Sequence, residues 1–250
     1  MFDLPFQLSW LDWSLALVAA FIMGVSKAGV KGIAIIVVTL LALVFGSKAS
    51  TGILLPLLTA GDIFAVIYYH RHTQWKYLKR LLPWMVAGVL LGVRVGENLP
   101  EDIFKQGMAV IILITVVMMF WWERSKIKKV PDNWWFAGIM GLAAGFTTMI
   151  GNLAGAFTNI FFLAMRLPKE QFIGTAAWLF FIINLFKWPF HIFVWKTISW
   201  QTLAIDLRLL PGILAGLFVG VFLVKKIKER FYRQLILILT AVGAVVILLR

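Results

Sequence analysis

Residues Gly24–Gly32 read GVSKAGVKG, and they sit inside an apolar stretch that runs from 14 to 45, about 32 residues. One helix crossing a bilayer needs about 20. The stretch is too long for one crossing, and Gly24, Gly29 and Gly32 interrupt it. It therefore predicts two shorter helices meeting at a tip, either re-entrant or fully crossing. A second stretch of the same length, 134–165, is interrupted at Gly145, Gly151 and Gly155 within AGFTTMIGNLAG (Ala144–Gly155).

Six further apolar stretches have the length of single crossings: 51–69, 81–96, 106–122, 172–195, 203–224 and 234–249. Composition requires a bilayer to receive them. Of the 250 residues 62% are hydrophobic and 14% charged, and mean hydropathy is +0.92. A soluble domain carries about 25% charged residues. The net charge of +13 fits loops that set topology and face anionic headgroups. It does not indicate nucleic acid, since no basic face joins stacking aromatics outside the apolar segments. The chain has no cysteine, which excludes disulfides, thiol catalysis and Cys-ligated metals. The N-terminus lacks the basic region of a cleavable signal.

Loop charge predicts orientation. Residues 70–80, 123–132 and 225–233 are net basic, at +4, +2 and +4, while 94–105 is −1. Eight single crossings would put two of the basic loops on opposite sides. If stretches 14–45 and 134–165 each return to their starting side, all three basic loops are cytoplasmic and both termini lie outside. Each half then makes an odd number of crossings, so the halves are inverted relative to each other. Residues recur accordingly. Pro83, Ala87, Gly88, Gly92 and Glu101 match Pro211, Ala215, Gly216, Gly220 and Glu229 at an offset of 128. Gly29, Gly52, Asp62 and Phe64 match Gly151, Gly174, Asn184 and Phe186 at 122. The expected fold is an all-α integral membrane protein of eight to ten helical segments. Its first repeat is 1–125 and its inverted second repeat 126–250, each a broken or re-entrant hairpin plus three transmembrane helices.

Candidate chemistry collects at the hairpins. A lysine inside a membrane span costs about 2.5–3.5 kcal/mol on insertion scales, so Lys27 and Lys31 either neutralise an anion or snorkel to water. Ser26 and Gly29 beside them supply a hydroxyl and irregular backbone whose N–H groups suit an oxyanion. Thr147, Thr148 and Asn152 form the matching uncharged cluster, whose alternative is helix packing. Thr51 and Thr175, beside Gly52 and Gly174, either cap their helices or present N–H groups to a ligand. Asp62 is the only deep carboxylate, a coupling site or a structural partner for a lysine. Asn184 is its repeat mate. Lys187 and His191 follow at i+3 and i+7, extending a polar path or marking the end of the span. The three histidines have no metal-ligand partners at useful spacing, and no P-loop is present.

At these residues the chain resembles the TauE/SafE family of sulfite and organosulfonate exporters. GVSKAGVKG, STGILLPLLTAGDIFAV (Ser50–Val66), LLPWMVAGVLLG (Leu81–Gly92) and AGFTTMIGNLAG carry the resemblance. The most specific part is completed by RLPKEQFIGTAAWLFFIINLFKWPF (Arg166–Phe190). Where many members have three glycines and a proline in the first hairpin, this chain has Lys31 and Ile33–Val38; where the second usually continues Ala-Gly-Pro, Ala156 follows Gly155. The resemblance implies a secondary transporter, not an enzyme, in the cytoplasmic (inner) membrane, with no cofactor. Its partners would be the lipid bilayer and a sulfur oxyanion or sulfonate such as sulfoacetate; a homo-oligomer is compatible with this. A sulfonate's three acceptor oxygens and single charge match lysine, hydroxyl, amide and backbone donors. A passive anion channel shares the fold cues. An intramembrane lipid phosphatase is the third reading, and it needs more acids or an arginine than the spans hold.

Overall fold

The computed structural model describes residues 6–30, 33–124, 133–228 and 231. All the regular structure among those residues is helical, with no strand. The helices are α1 (Trp10–Lys27), α2 (Ala34–Phe45), α3 (Ser47–Tyr69), α4 (Trp75–Gly96), α5 (Glu101–Arg124), α6 (Trp134–Gly151), α7 (Gly155–Ala164), α8 (Lys169–Pro189) and α9 (Trp200–Lys226). A 3₁₀ turn, His70–His72, follows α3, and a π turn, Phe190–Val194, follows α8.

Both long apolar stretches break where their glycines stand. Ser9 and Asp12 open α1 with a reciprocal capping box. The helix closes across Gly29, whose φ of +125° favours glycine; the Gly29 and Val30 N–H groups donate to the Ser26 and Val25 carbonyls. In the second half Asn152 takes the left-handed conformation, φ 56°, and its N–H donates to the Thr148 carbonyl. Asparagine tolerates this conformation better than most residues. The second arms, α2 and α7, have 12 and 10 residues. At 1.5 Å per residue they reach about 18 and 15 Å, short of a roughly 30 Å hydrocarbon core. Five described helices are long and apolar enough to cross: α1, α3, α6, α8 and α9. Their outward faces carry large apolar side chains such as Phe218, Phe222, Ile67 and Ile139, which a bilayer solvates. α4 is interrupted by more charge (Lys76, Lys79, Arg80 and Arg94) but presents a buried stripe from Leu78 to Val93.

The tightest packing joins helices from opposite halves, α4 on α6 and α1 on α9. Both crossings are made by paired glycines. A Cβ on Gly24 would stand 2.2 Å from the Ile213 carbonyl oxygen, and one on Gly216 would stand 2.0 Å from that of Phe21. In the other pair, a Cβ on Gly145 would lie 2.0 Å from the Met85 carbonyl oxygen, and one on Gly88 2.2 Å from that of Leu142. Without a hydrophobic drive between helices in lipid, such close backbone approach supplies the attraction. α3 and α8 pack against each other, flanked by these pairs. End caps also come from neighbouring helices. Glu101 of α5 accepts from the Ser47 N–H at the start of α3, where Gly46 offers no side chain. Lys48 Nζ donates to the Glu97 carbonyl at the end of α4, and Lys169 Nζ to the Val224 and Ile227 carbonyls at the end of α9.

Candidate functional site

The α1 and α6 ends point their last turns at the α3–α8 pair, and the buried polar side chains meet there. Lys27 Nζ, from the last residue of α1, pairs with Asp62 Oδ1 of α3 at 2.5 Å. Asn184 Nδ2 of α8 donates to Asp62 Oδ2 at 2.7 Å, and Asn184 Oδ1 accepts from Lys187 Nζ at 3.3 Å. Lys187 Nζ also donates to Asn152 Oδ1 at 2.5 Å and Thr148 Oγ1 at 3.3 Å. Asn152 Nδ2 then donates to the Thr51 carbonyl at 3.2 Å. One continuous relay thus links α1, α3, α8 and the end of α6. Each amide turns its oxygen to the lysine, and Asn184 turns its nitrogen to the carboxylate, as charge dictates.

The charge count is the chemical point. Lys27 and Asp62 cancel. Lys187, fully buried, meets only neutral oxygens among the described residues and makes no ion pair there. Asn184, at the place matching Asp62, leaves that second position uncharged. With Lys187 protonated, the cluster would carry one net positive charge in a low-dielectric setting, where a charge without a partner is costly. An anion of unit charge would complete it.

A cavity of about 50 Å³ adjoins the cluster. Ser26, Lys27, Thr148, Asn152, Asn159 and Asn184 give it a polar wall, closed by Met23, Leu58 and Phe180. The Lys27 ammonium also stands 5.3 Å from the Phe180 ring centroid. The volume exceeds that of a single water site, about 10–15 Å³ on the same measure. It suits a small ion rather than a lipid.

Of the residues expected from sequence, Ser26, Lys27, Thr148 and Asn152 line this cavity with Asn184, and Asp62 and Lys187 stand in the relay beside it. Lys31 lies outside the described residues. Thr51 contributes its carbonyl, not an N–H. Neither Thr51 nor Thr175 caps a helix, because α3 and α8 begin earlier, after Gly46 and Pro168. Thr175 Oγ1 instead accepts from the Gln74 N–H, tying α8 to the turn before α4. Thr147 turns its hydroxyl back to the Ala143 carbonyl of its own helix. Gly29 closes α1 and packs toward Ile173 and Val224, away from the cavity. His191 is buried in the π turn that follows α8, and its Nδ1 pairs with Thr197 Oγ1 at 2.8 Å. Asn159 was not expected. It sits in the apolar run GAFTNIFFLA of α7, and only its being a buried amide there hinted at a role.

Buried charge, broken helices ending at a common cavity, and helices long and apolar enough to span define a class: a multi-pass membrane transporter. The sulfite exporter TauE/SafE family matches residues 15–247, and the chain belongs to that family. No curated protein and no solved structure gives a match.

Proposed function

We propose that this chain exports a small sulfur-containing anion, sulfite or a short organosulfonate, across the cytoplasmic membrane. The observation that carries the proposal is a second buried lysine, Lys187, which joins the Lys27–Asp62–Asn184 relay without an ion pair of its own among the described residues, beside a small polar cavity. Lys187 supplies the uncompensated charge. Lys27 shares its ammonium between Asp62 and the anion. Ser26, Thr148 and Asn152 orient the oxygens. A pyramidal or tetrahedral oxyanion takes several such donors at once, and charge-assisted bonds are the stronger kind.

The same reading assigns the two halves to inverted repeats. Supporting it, Asp62 and Asn184 are repeat mates that touch each other, as residues beside a pseudo-two-fold axis must. The reciprocal glycine crossings agree: Gly24 on Ile213 mirrors Gly145 on Met85. Exchange of shape between the halves would open the central cavity to each side in turn. Asp62, once its lysine engages the anion, is the group placed to take up or release a proton.

Efflux from proteoliposomes loaded with labelled sulfite tests the proposal. Wild type should release label, and Lys187→Met, which keeps the length of the side chain but removes its charge, should fall to the leak of empty vesicles. Efflux by Lys187→Met at the wild-type rate would refute the role of Lys187.

A further inference from the structure

Asn159 does something that the charge argument does not explain. It is 3% exposed, yet its Oδ1 has no hydrogen-bond partner among the described residues. Buried side-chain acceptors are normally satisfied, and an orphan on the wall of a binding cavity asks for an explanation. Asn159 lines the cavity described above and a second one of about 30 Å³ that adjoins it. The two share Ala34, Asn152, Gly155 and Asn159, and the second adds Ile35, Leu153 and Ala156. The polar cavity carries donors at Lys27 and at the Ser26 and Thr148 hydroxyls, and Asn159, whose acceptor is unmet, is shared by this cavity and the more apolar one beside it.

An anion with acceptor oxygens alone would leave that acceptor unmet. A ligand with a hydrogen to donate would satisfy it. We propose that Asn159 is a specificity-determining residue, and that the cargo carries an O–H or N–H donor together with its anionic oxygens. This rests on the anion-export reading and narrows it. Two sources share the chemistry: a protonated inorganic oxyanion such as hydrogen sulfite, and a short sulfonate bearing a hydroxyl or ammonium. In the second case the carbon chain would lie toward Ile35, Leu153 and Ala156. A fully deprotonated oxyanion and a simple alkanesulfonate fit less well. A buried hydrogen bond of this kind separates such ligands by roughly tenfold to a hundredfold in Kd.

The test is a binding comparison on purified full-length protein with matched probes. 2-Hydroxyethanesulfonate is set against 1-propanesulfonate, which replaces the hydroxyl by a methyl group. Sulfite is titrated across the pH range in which hydrogen sulfite loses its proton. Wild type should prefer the hydroxyl compound at least tenfold, or should lose sulfite affinity in step with that deprotonation more steeply than Asn159→Leu does; which arm responds identifies the source. Asn159→Leu should weaken only the donor-bearing probe and erase the preference. Equal wild-type binding of both members in both arms would overturn the inference while leaving anion export standing. So would an Asn159→Leu protein that weakens every probe alike. Failure of all the probes to bind wild type would overturn the export reading itself. The wild-type sulfonate comparison needs no variant, so it decides even if Asn159→Leu does not fold.

Discussion

Lys27 and Lys187 differ in what their loss leaves behind. Removing Lys27 strands the Asp62 carboxylate at 1% exposure, with only the Asn184 amide still bonded to it among the described residues. Breaking a buried ion pair from one side costs about 3–5 kcal/mol. Lys27→Met should therefore lower the melting temperature of the detergent-solubilised protein clearly. Lys27→Met with Asp62→Asn should restore most of it, because no charge is then stranded. A double variant no more stable than the single would show that the pair is not coupled as the distances imply. Removing Lys187 should have the opposite sign. No carboxylate among the described residues depends on it, so Lys187→Met should melt at or above wild type. A site that holds an uncompensated charge for its ligand gives up stability for function.

This residue-level picture was only half legible in sequence. A lysine between glycines in an apolar run announces itself, as Lys27 does. Its pairing with Asp62 spans 35 positions, and spacing alone could not choose between a paired and a ligand-facing lysine. Lys187 sits a turn before the π turn and close to the end of its apolar stretch, so it read equally as a span marker. Its burial comes from Asn152 and Thr148 of α6, a tertiary contact. Thr175 was misplaced for a local reason: α8 starts at Lys169, so Thr175 lies in the helix body, beside the turn before α4.

At the scale of elements, the glycine crossings hold α1 on α9 and α6 on α4. Gly24→Val would drive a side chain into the Ile213 carbonyl, which is backbone and cannot rotate away. Overpacking of this kind costs about 1–3 kcal/mol. Loss of folded yield or a lower melting temperature is expected for Gly24→Val and for its counterpart Gly145→Val. Gly107→Ala, on α5, meets nothing within 4 Å among the described residues and should be neutral or slightly stabilising. Equal tolerance at Gly24 and Gly107 would contradict the crossing geometry. The hairpin breaks were readable because glycine interrupts an apolar run too long for one span. The partner of each long arm was not, since glycine reports that something approaches closely and not what it is.

For the whole molecule, the central prediction is opposed orientation of the halves. The absence of cysteine makes single-cysteine labelling unambiguous. His72 and Lys196 are exposed, at the ends of α3 and of the π turn, and Asn98 is exposed between α4 and α5. His72→Cys should react only from the cytoplasmic side, and Asn98→Cys and Lys196→Cys only from outside. His72 and Lys196 stand at corresponding ends of α3 and α8, so labelling of both from the same side would defeat the inverted arrangement. Repeat and loop charge are the sequence features from which this arrangement is expected.

The claim on which the account turns is that the buried relay lacks one negative charge, and that the cargo supplies it. Calorimetric titration of sulfite into purified wild type and Lys187→Met measures this most directly. The account predicts saturable binding to wild type at one site per chain, and binding roughly tenfold to a hundredfold weaker for a folded Lys187→Met, the scale of a lost hydrogen-bonded charge contact. Binding of sulfite to Lys187→Met with wild-type affinity would contradict it.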